Sequence, residues 1–229
     1  MYNLSNLGNV SFMKLFYWNK LAWFFVFKNL LKSININFKQ KKIIEIGATE
    51  RSSVAIYFIE NNDIILSSNN HQSILLMREV FKDKNLKIVY NDIYDFKGKY
   101  DIIIMKSILG GLCREEGPNK ANKIIKKLIK LNLKNEGVLI TLDNGIPIYN
   151  SLIRNYGARK NNWYFFKKND LKDFDGSFSF GFLSSFSLKT RMGYLGGVIE
   201  NILFYLDRII HFFYKNYPTI IGKYYIKKI

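Results

Sequence analysis

From residue 41 onward, short apolar runs alternate with longer stretches in which apolar positions recur every three or four residues. The runs "KIIEI" (42–46), "DIILS" (63–67), "LKIVYND" (86–92), "YDIIIMKS" (100–107) and "GVLITLDN" (137–144) predict strands. Their Ile and Val content, with little polar alternation, marks strands buried on both faces. Between them, "SSVAIYFIE" (52–60), "HQSILLMREVFKD" (71–83), "NKANKIIKKLIKLNL" (119–133) and "IPIYNSLIRNYG" (146–157) predict helices. Strand and helix in such alternation imply right-handed crossovers and a doubly wound, mostly parallel α/β sheet with flanking helices.

The flanks differ from this regular middle. "FMKLFYWNKLAWFFVFKNLL" (12–31) is too long for a strand and predicts a helix with a broad aromatic face, suited to core packing or, alternatively, to a membrane surface. Beyond residue 160, "WYFFKKNDLKDF" (163–174) reads as a strand or loop leading into a short helix, and "GSFSFGFLSSFSLKTR" (176–191) as extended chain. A strongly apolar helix, "YLGGVIENILFYLDRIIHFFYKN" (194–216), and a closing strand, "IIGKYYIKKI" (220–229), complete the pattern. With 229 residues, one domain is expected: a helical cap over 1–40, a core over 41–150, and substrate-side and closing elements over 151–229.

Composition then narrows the classes. The chain is 48% hydrophobic and 23% charged, so it is expected to fold. Its net charge of +17 attracts polyanions, yet most of the basic residues are lysines in an Ile- and Asn-rich chain, as a solvated basic surface requires. Cys113 is the single cysteine, which excludes an intrachain disulfide and fits a cytoplasmic setting. No secretory signal is expected, and "LAWFFVF" (21–27) is far shorter than the ~20 residues a spanning helix needs.

The chemistry concentrates in "KIIEIGATERSS" (42–53), where a strand ends in Glu45 and Gly47 and turns toward a helix. In open parallel sheets, ligands sit beyond such carboxyl ends. The series Glu45-x-Gly47, "NDIYDF", "DIIIMKSILGGLCR" and "NEGVLITLDN" resembles the class I S-adenosylmethionine-dependent methyltransferases over roughly residues 40–150. The tail, with a helix ending in "LDRII" and a final "GKYYIKKI", looks like that fold's last helix and antiparallel last strand. The resemblance therefore implies a Rossmann-like methyltransferase fold and S-adenosylmethionine as cofactor.

It also implies a placement. Gly47, Ala48 and Thr49 would lie under the methionine part of the cofactor, with Glu45 holding that loop or the ammonium. Asp92 would face the adenine amino group, and Ile93 would offer its backbone N–H to the ring. Lys106 and Ser107 would border the methionine end and the acceptor. The chain departs from the family pattern twice: Thr49 and Arg51 stand where glycines are usual, and no acid closes the second strand. Ser68, Asn69 or Asn70 stands in for the missing ribose carboxylate.

Methyl transfer from a sulfonium needs alignment first, and a base only for an acceptor such as a hydroxyl. Lys106 and Asp143 are the positional candidates for that base. His71 and His211 read as surface or packing residues, Cys113 has no neighbouring histidine in sequence, and no acid–histidine cluster suggests a metal. The resemblance further implies an acceptor that is a small molecule or a saccharide, in bacterial surface-glycan or secondary metabolism. Two alternatives stand beside it. One is a non-catalytic relative acting as a binding or peripheral membrane partner. The other is a nucleic-acid methyltransferase stacking bases on Trp163, Tyr164, Phe165 and Phe166, disfavoured because no Asn-Pro-Pro-Tyr-like element is present.

Overall fold

The computed structural model describes residues 15–16, 19–146, 162–171, 173–183, 189–213 and 218–229. Among these, seven strands form one sheet: β1 (Lys42–Ile46), β2 (Asp63–Ser68), β3 (Lys87–Tyr90), β4 (Tyr100–Lys106), β5 (Leu133–Asn144), β6 (Gly176–Phe180) and β7 (Ile220–Ile226). The spatial order is β3-β2-β1-β4-β5-β7-β6. The first five strands pair in parallel, and β7 runs antiparallel to both of its neighbours. This is the doubly wound sheet that the alternation predicted, with the antiparallel last strand that the resemblance implied.

Helices α1 (Lys20–Ser33), α2 (His71–Val80), α3 (Leu109–Cys113), α4 (Gly117–Leu131) and α5 (Lys189–Phe213) flank it. Side chains alternate between the two faces of each strand. Ile43, Ile102, Ile104, Val138 and Ile140 therefore join the core beneath α1 and α2. Ile44, Ile46, Ile103, Met105 and Leu139 join the opposite core with α3 and α4.

Several predicted elements are corrected. The N-terminal helix starts at Lys20 and not near 12: Leu15 and Phe16 are non-helical, and Asn19 adopts φ 47°, a left-handed conformation that stops the helix from running backward. Its aromatic face is not available to a membrane. Trp23 and Phe27 are fully buried, and α1 packs across β6 and β7. The segment 52–60 forms no α-helix, only a 3-10 turn over Val54–Phe58. Its bulky β-branched and aromatic residues disfavour an α-helix, and burial of Val54, Ala55, Ile56 and Phe58 sets its conformation instead.

No helix occurs over the described residues of 163–174, where Phe166 bridges Gly145. The extended stretch ends with β6 at Phe180, and residues 189–191 already belong to α5. Residues 147–157 of the predicted helix 146–157 lie outside the described residues. Among the described residues, no helix is long and apolar enough to cross a membrane.

Candidate functional site

The chain winds outward from β1 to β3, then returns to wind the other way through β4 and β5, so the topological switch lies between β1 and β4. Ligands of open α/β sheets bind in the crevice above such a switch. Ile46 pairs with Met105 there, which sets Gly47 on one lip and Lys106, Ser107 and Ile108 on the other. The loop after β3 stands on the same edge, flanking β2, since the backbone N–H of Asn91 donates to the Ser68 carbonyl at 3.0 Å. The structure thus gathers the Gly47 turn, Ser68, Asp92 and the Lys106–Ser107 pair along one sheet edge.

The loop after β1 is tight. Gly47 has φ 72°, and the Ala48 N–H donates to the Ser67 carbonyl at 2.9 Å. Thr49 and Ser52 exchange backbone hydrogen bonds at 3.4 and 3.2 Å, leaving Arg51 at the tip, paired with Glu50 at 3.2 Å. A side chain at 51 is therefore accommodated by pointing to solvent. Glu45 is buried, and its Oε2 accepts from the Ala55 N–H at 2.7 Å. The acid thereby ties the end of β1 to the 3-10 turn that follows the loop.

Strand periodicity sets Glu45 and Lys106 on the α1 face. The Lys106 ammonium lies 5.4 Å from the Trp23 ring and 6.0 Å from that of Phe16, a cation–π enclosure contributed by the N-terminal segment. Part of the Lys106 residue still reaches the surface, but its charged end is walled by protein. Burial lowers its pKa, against the pull of Glu45 and Asp143; burial likewise raises Glu45, against its hydrogen bond to Ala55 and the pull of Lys106.

Asp143 emerges on the other face, at the tip of β5. Burial pushes it up to about 7, countered by Lys106 and by the Leu109 N–H. Its Oδ2 has no hydrogen-bond partner, and neither has the Oγ of Ser107, whose φ is 52°. Two buried polar atoms without partners, each one residue beyond the paired Lys106 and Leu142 at the tips of β4 and β5, are what a site awaiting a polar ligand leaves.

The remaining predicted residues are more committed to the protein itself. Ser68 is buried and its Oγ accepts from the Asn70 N–H at 3.3 Å, while Asn70 caps α2 by accepting from the Ser73 N–H at 3.1 Å. Asn69 is exposed between them. Asp92 accepts from the Tyr94 N–H at 2.9 Å through Oδ1, closing a turn that buries Ile93.

Four participants were missed from sequence: Ile108, Phe16, Trp23 and Tyr90. Ile108 lies over Gly47, so that a Cβ at 47 would stand 2.5 Å from Ile108 Cδ1. Phe16 belongs to the enclosure of Lys106, a contact that only the fold creates. Tyr90 stacks on His71 with centroids 4.3 Å apart and 12° between planes, an aromatic pair at the β2–β3 end of the edge. Alternation along β3 gave no signal, since it puts Tyr90 on the face of Ile88, which packs against the core, whereas Tyr90 is exposed. The Leu-Gly-Gly element, by contrast, is structural: a Cβ on Gly110 would run into the Tyr164 carbonyl, whose own N–H donates to the Gly110 carbonyl at 2.9 Å.

No protein-family model matches the sequence, and no curated protein matches it. The fold, however, recurs among solved structures. A methyltransferase dependent on S-adenosylmethionine from Methanosarcina mazei is similar with TM-score 0.58 and 12% identity, over 87% of this chain and 97% of that one. Phosphoethanolamine N-methyltransferase 2 of Haemonchus contortus, in complex with S-adenosyl-L-methionine, gives 0.57 and 8%, over 88% and 52%. This chain thus spans about half of that enzyme. Coclaurine N-methyltransferase, bound to N-methylheliamine and S-adenosylhomocysteine, gives 0.58 and 10%, over 91% and 73%. The chain has the Rossmann-like fold of S-adenosylmethionine-dependent methyltransferases.

Proposed function

We propose that this protein transfers the methyl group of S-adenosylmethionine to a small-molecule acceptor at the tips of β4 and β5. The observation that carries the reading is the pair of unpartnered buried atoms, Ser107 Oγ and Asp143 Oδ2, at the neighbouring tips of β4 and β5. The backbone of Gly47, Ala48 and Thr49, the turn at Asp92 and Ile93, and Lys106 with Ser107 would hold the cofactor, with Asn69 nearest its ribose. When bound, it supplies an electrophilic methyl on a sulfonium.

The protein's own contribution is orientation and exclusion of water. Glu45 braces the loop, Phe16 and Trp23 wall off the β1–β4 side, and Asp143, raised to about 7, is poised to take a proton from a hydroxyl or ammonium acceptor near neutral pH. The named acceptors of the structural neighbours, phosphoethanolamine and coclaurine, are amines. We extend the reading to amine- or hydroxyl-bearing acceptors, including saccharides of bacterial surface glycans, methylated on the cytoplasmic side. Nucleic acid is disfavoured because Phe166 is buried, Tyr164 donates to Asp170 at 3.0 Å, and Trp163 packs on Gly111.

Titration calorimetry with S-adenosylmethionine and S-adenosylhomocysteine tests this. Saturable heat with both is the expected result; no heat from either at millimolar ligand would sink it. A second reading, a non-catalytic relative, is favoured by one observation, the Ile108 side chain lying across Gly47. Binding without methyl transfer to any amine or hydroxyl acceptor in a broad panel would support it.

A further inference from the structure

Helix α5 turns its apolar residues outward and its acids inward. Leu195, Val198, Ile202, Tyr205, Ile209 and Phe212 are spaced three, four, three, four and three residues apart, which lays them along one side of a helix, and all are exposed. At the C-terminal end, Phe212 is 79% and Phe213 81% exposed. Eight of the fourteen large apolar side chains exposed among the described residues lie on this helix, so the exposure is a patch and not scatter.

The rotation of the helix is fixed by its acids. Glu200 Oε1 accepts from the Lys20 N–H at 2.7 Å, at the start of α1, and Asp207 Oδ1 accepts from the Leu183 N–H at 2.7 Å. Both acids are buried. Turning the apolar stripe inward would break both charged bonds and carry two carboxylates outward. Beside the stripe, the exposed charged residue among the described side chains of α5 is Arg208, whose guanidinium lies 5.8 Å from the Phe25 ring of α1.

We infer that this face of α5 is a docking surface for an anionic lipid bilayer, on which the helix lies flat with Phe212 and Phe213 inserted. Charge complementarity selects the occupant. The surface offers no carboxylate, its exposed charge is a cation, and the chain behind it carries +17, so an anionic leaflet attracts the protein while its apolar stripe partitions into the boundary between headgroups and acyl chains. A second copy fits less well, because it would bring two such charges together and because Leu206 and Phe213 widen the stripe beyond a coiled-coil seam. Asp207 of α5 is tied to Leu183, shortly beyond Phe180, which pairs with Ile220, itself opposite Asn144 at the tip of β5. The surface therefore adjoins the sheet edge that bears the crevice, although the inference itself does not draw on methyl transfer.

The test is sedimentation of the full chain with vesicles, either phosphatidylcholine alone or with about 30 mol % phosphatidylglycerol, at low and high salt. The expected result is binding to the anionic vesicles that weakens with salt. A Phe212→Glu/Phe213→Glu variant should lower partitioning at least about tenfold, and an Ile202→Ser/Ile209→Ser variant should do so without adding charge. Both should keep the wild-type circular dichroism spectrum and melting temperature, because the four side chains are exposed. Wild-type protein that stays in the supernatant, or variants that sediment like wild type, would overturn the inference. So would a dimer that sedimentation velocity shows dissolving in the same variants while neither form binds vesicles.

Discussion

The Glu45 carboxylate and the Ala55 amide lie 2.7 Å apart, which commits the acid that closes β1 to the loop beneath the crevice. Removing it leaves a buried N–H unsatisfied at the start of the 3-10 turn. Glu45→Ala should lose about 1–3 kcal/mol of unfolding free energy, whereas Glu45→Gln, which keeps an acceptor, should lose less than half as much. Urea denaturation of the two variants measures this; equal losses would mean that the bond contributes little.

Stability should dip near neutral to mildly alkaline pH. Burial raises Asp143 from 3.8 to about 7 and pushes Glu45 the same way, so each binds its proton more tightly in the folded state. Their contribution is complete below about pH 4 and is lost as pH rises through about 7. Lys106 is displaced downward, so its contribution is present above its ordinary pKa and lost as pH falls through the lowered one. Asp143→Asn should flatten the acid limb and exceed wild-type stability at pH 8 by roughly 1–3 kcal/mol, with little gain at pH 4. Chemical denaturation at the two pH values checks it; the same difference at both would refute the assignment.

Gly47 and Ile108 should behave as a coupled pair. Gly47→Ala meets Ile108 and also places a Cβ on a residue with φ 72°, which costs on the order of 1–2 kcal/mol by itself. Adding Ile108→Ala should relieve the steric part and leave the backbone part. Ile108→Ala alone should tighten binding of S-adenosylhomocysteine by opening the face above the glycine. A double-mutant cycle read by thermal unfolding and calorimetry tests both statements; strict additivity would disprove the contact.

Asp92→Ala should weaken cofactor binding roughly tenfold by loosening the turn that presents Ile93, since Asp92 accepts from the Tyr94 N–H. Asp92→Asn keeps that acceptor and should recover most of the affinity if the turn matters, and little if the charge itself reads the adenine. Calorimetric titration of both variants separates the two. Wild-type affinity in both would place the adenine elsewhere.

Much of the architecture was legible because strand burial is a local property. Runs such as "YDIIIMK" have no polar face to expose, and their spacing leaves room for crossovers, so the parallel sheet follows, while the strand order β3-β2-β1-β4-β5-β7-β6 comes only from the structure. The end of β1 was legible for a similar reason: the apolar run stops at Ile46, and Gly47 takes up φ 72° to turn the chain.

Other features depend on residues far apart in the chain. Helical spacing over 52–60 gave way to a 3-10 turn because Glu45 captures Ala55 and the core takes Val54 and Ile56, a competition that local propensity does not contain. The aromatic wealth of α1 and α5 looks alike in sequence. Only packing sends Trp23 and Phe27 inward, and only the hydrogen bonds of Glu200 and Asp207 to distant amides hold α5 with its apolar side out. Periodicity names the faces of an element but not which face meets the core, because that choice is made by partners brought close when the sheet closes.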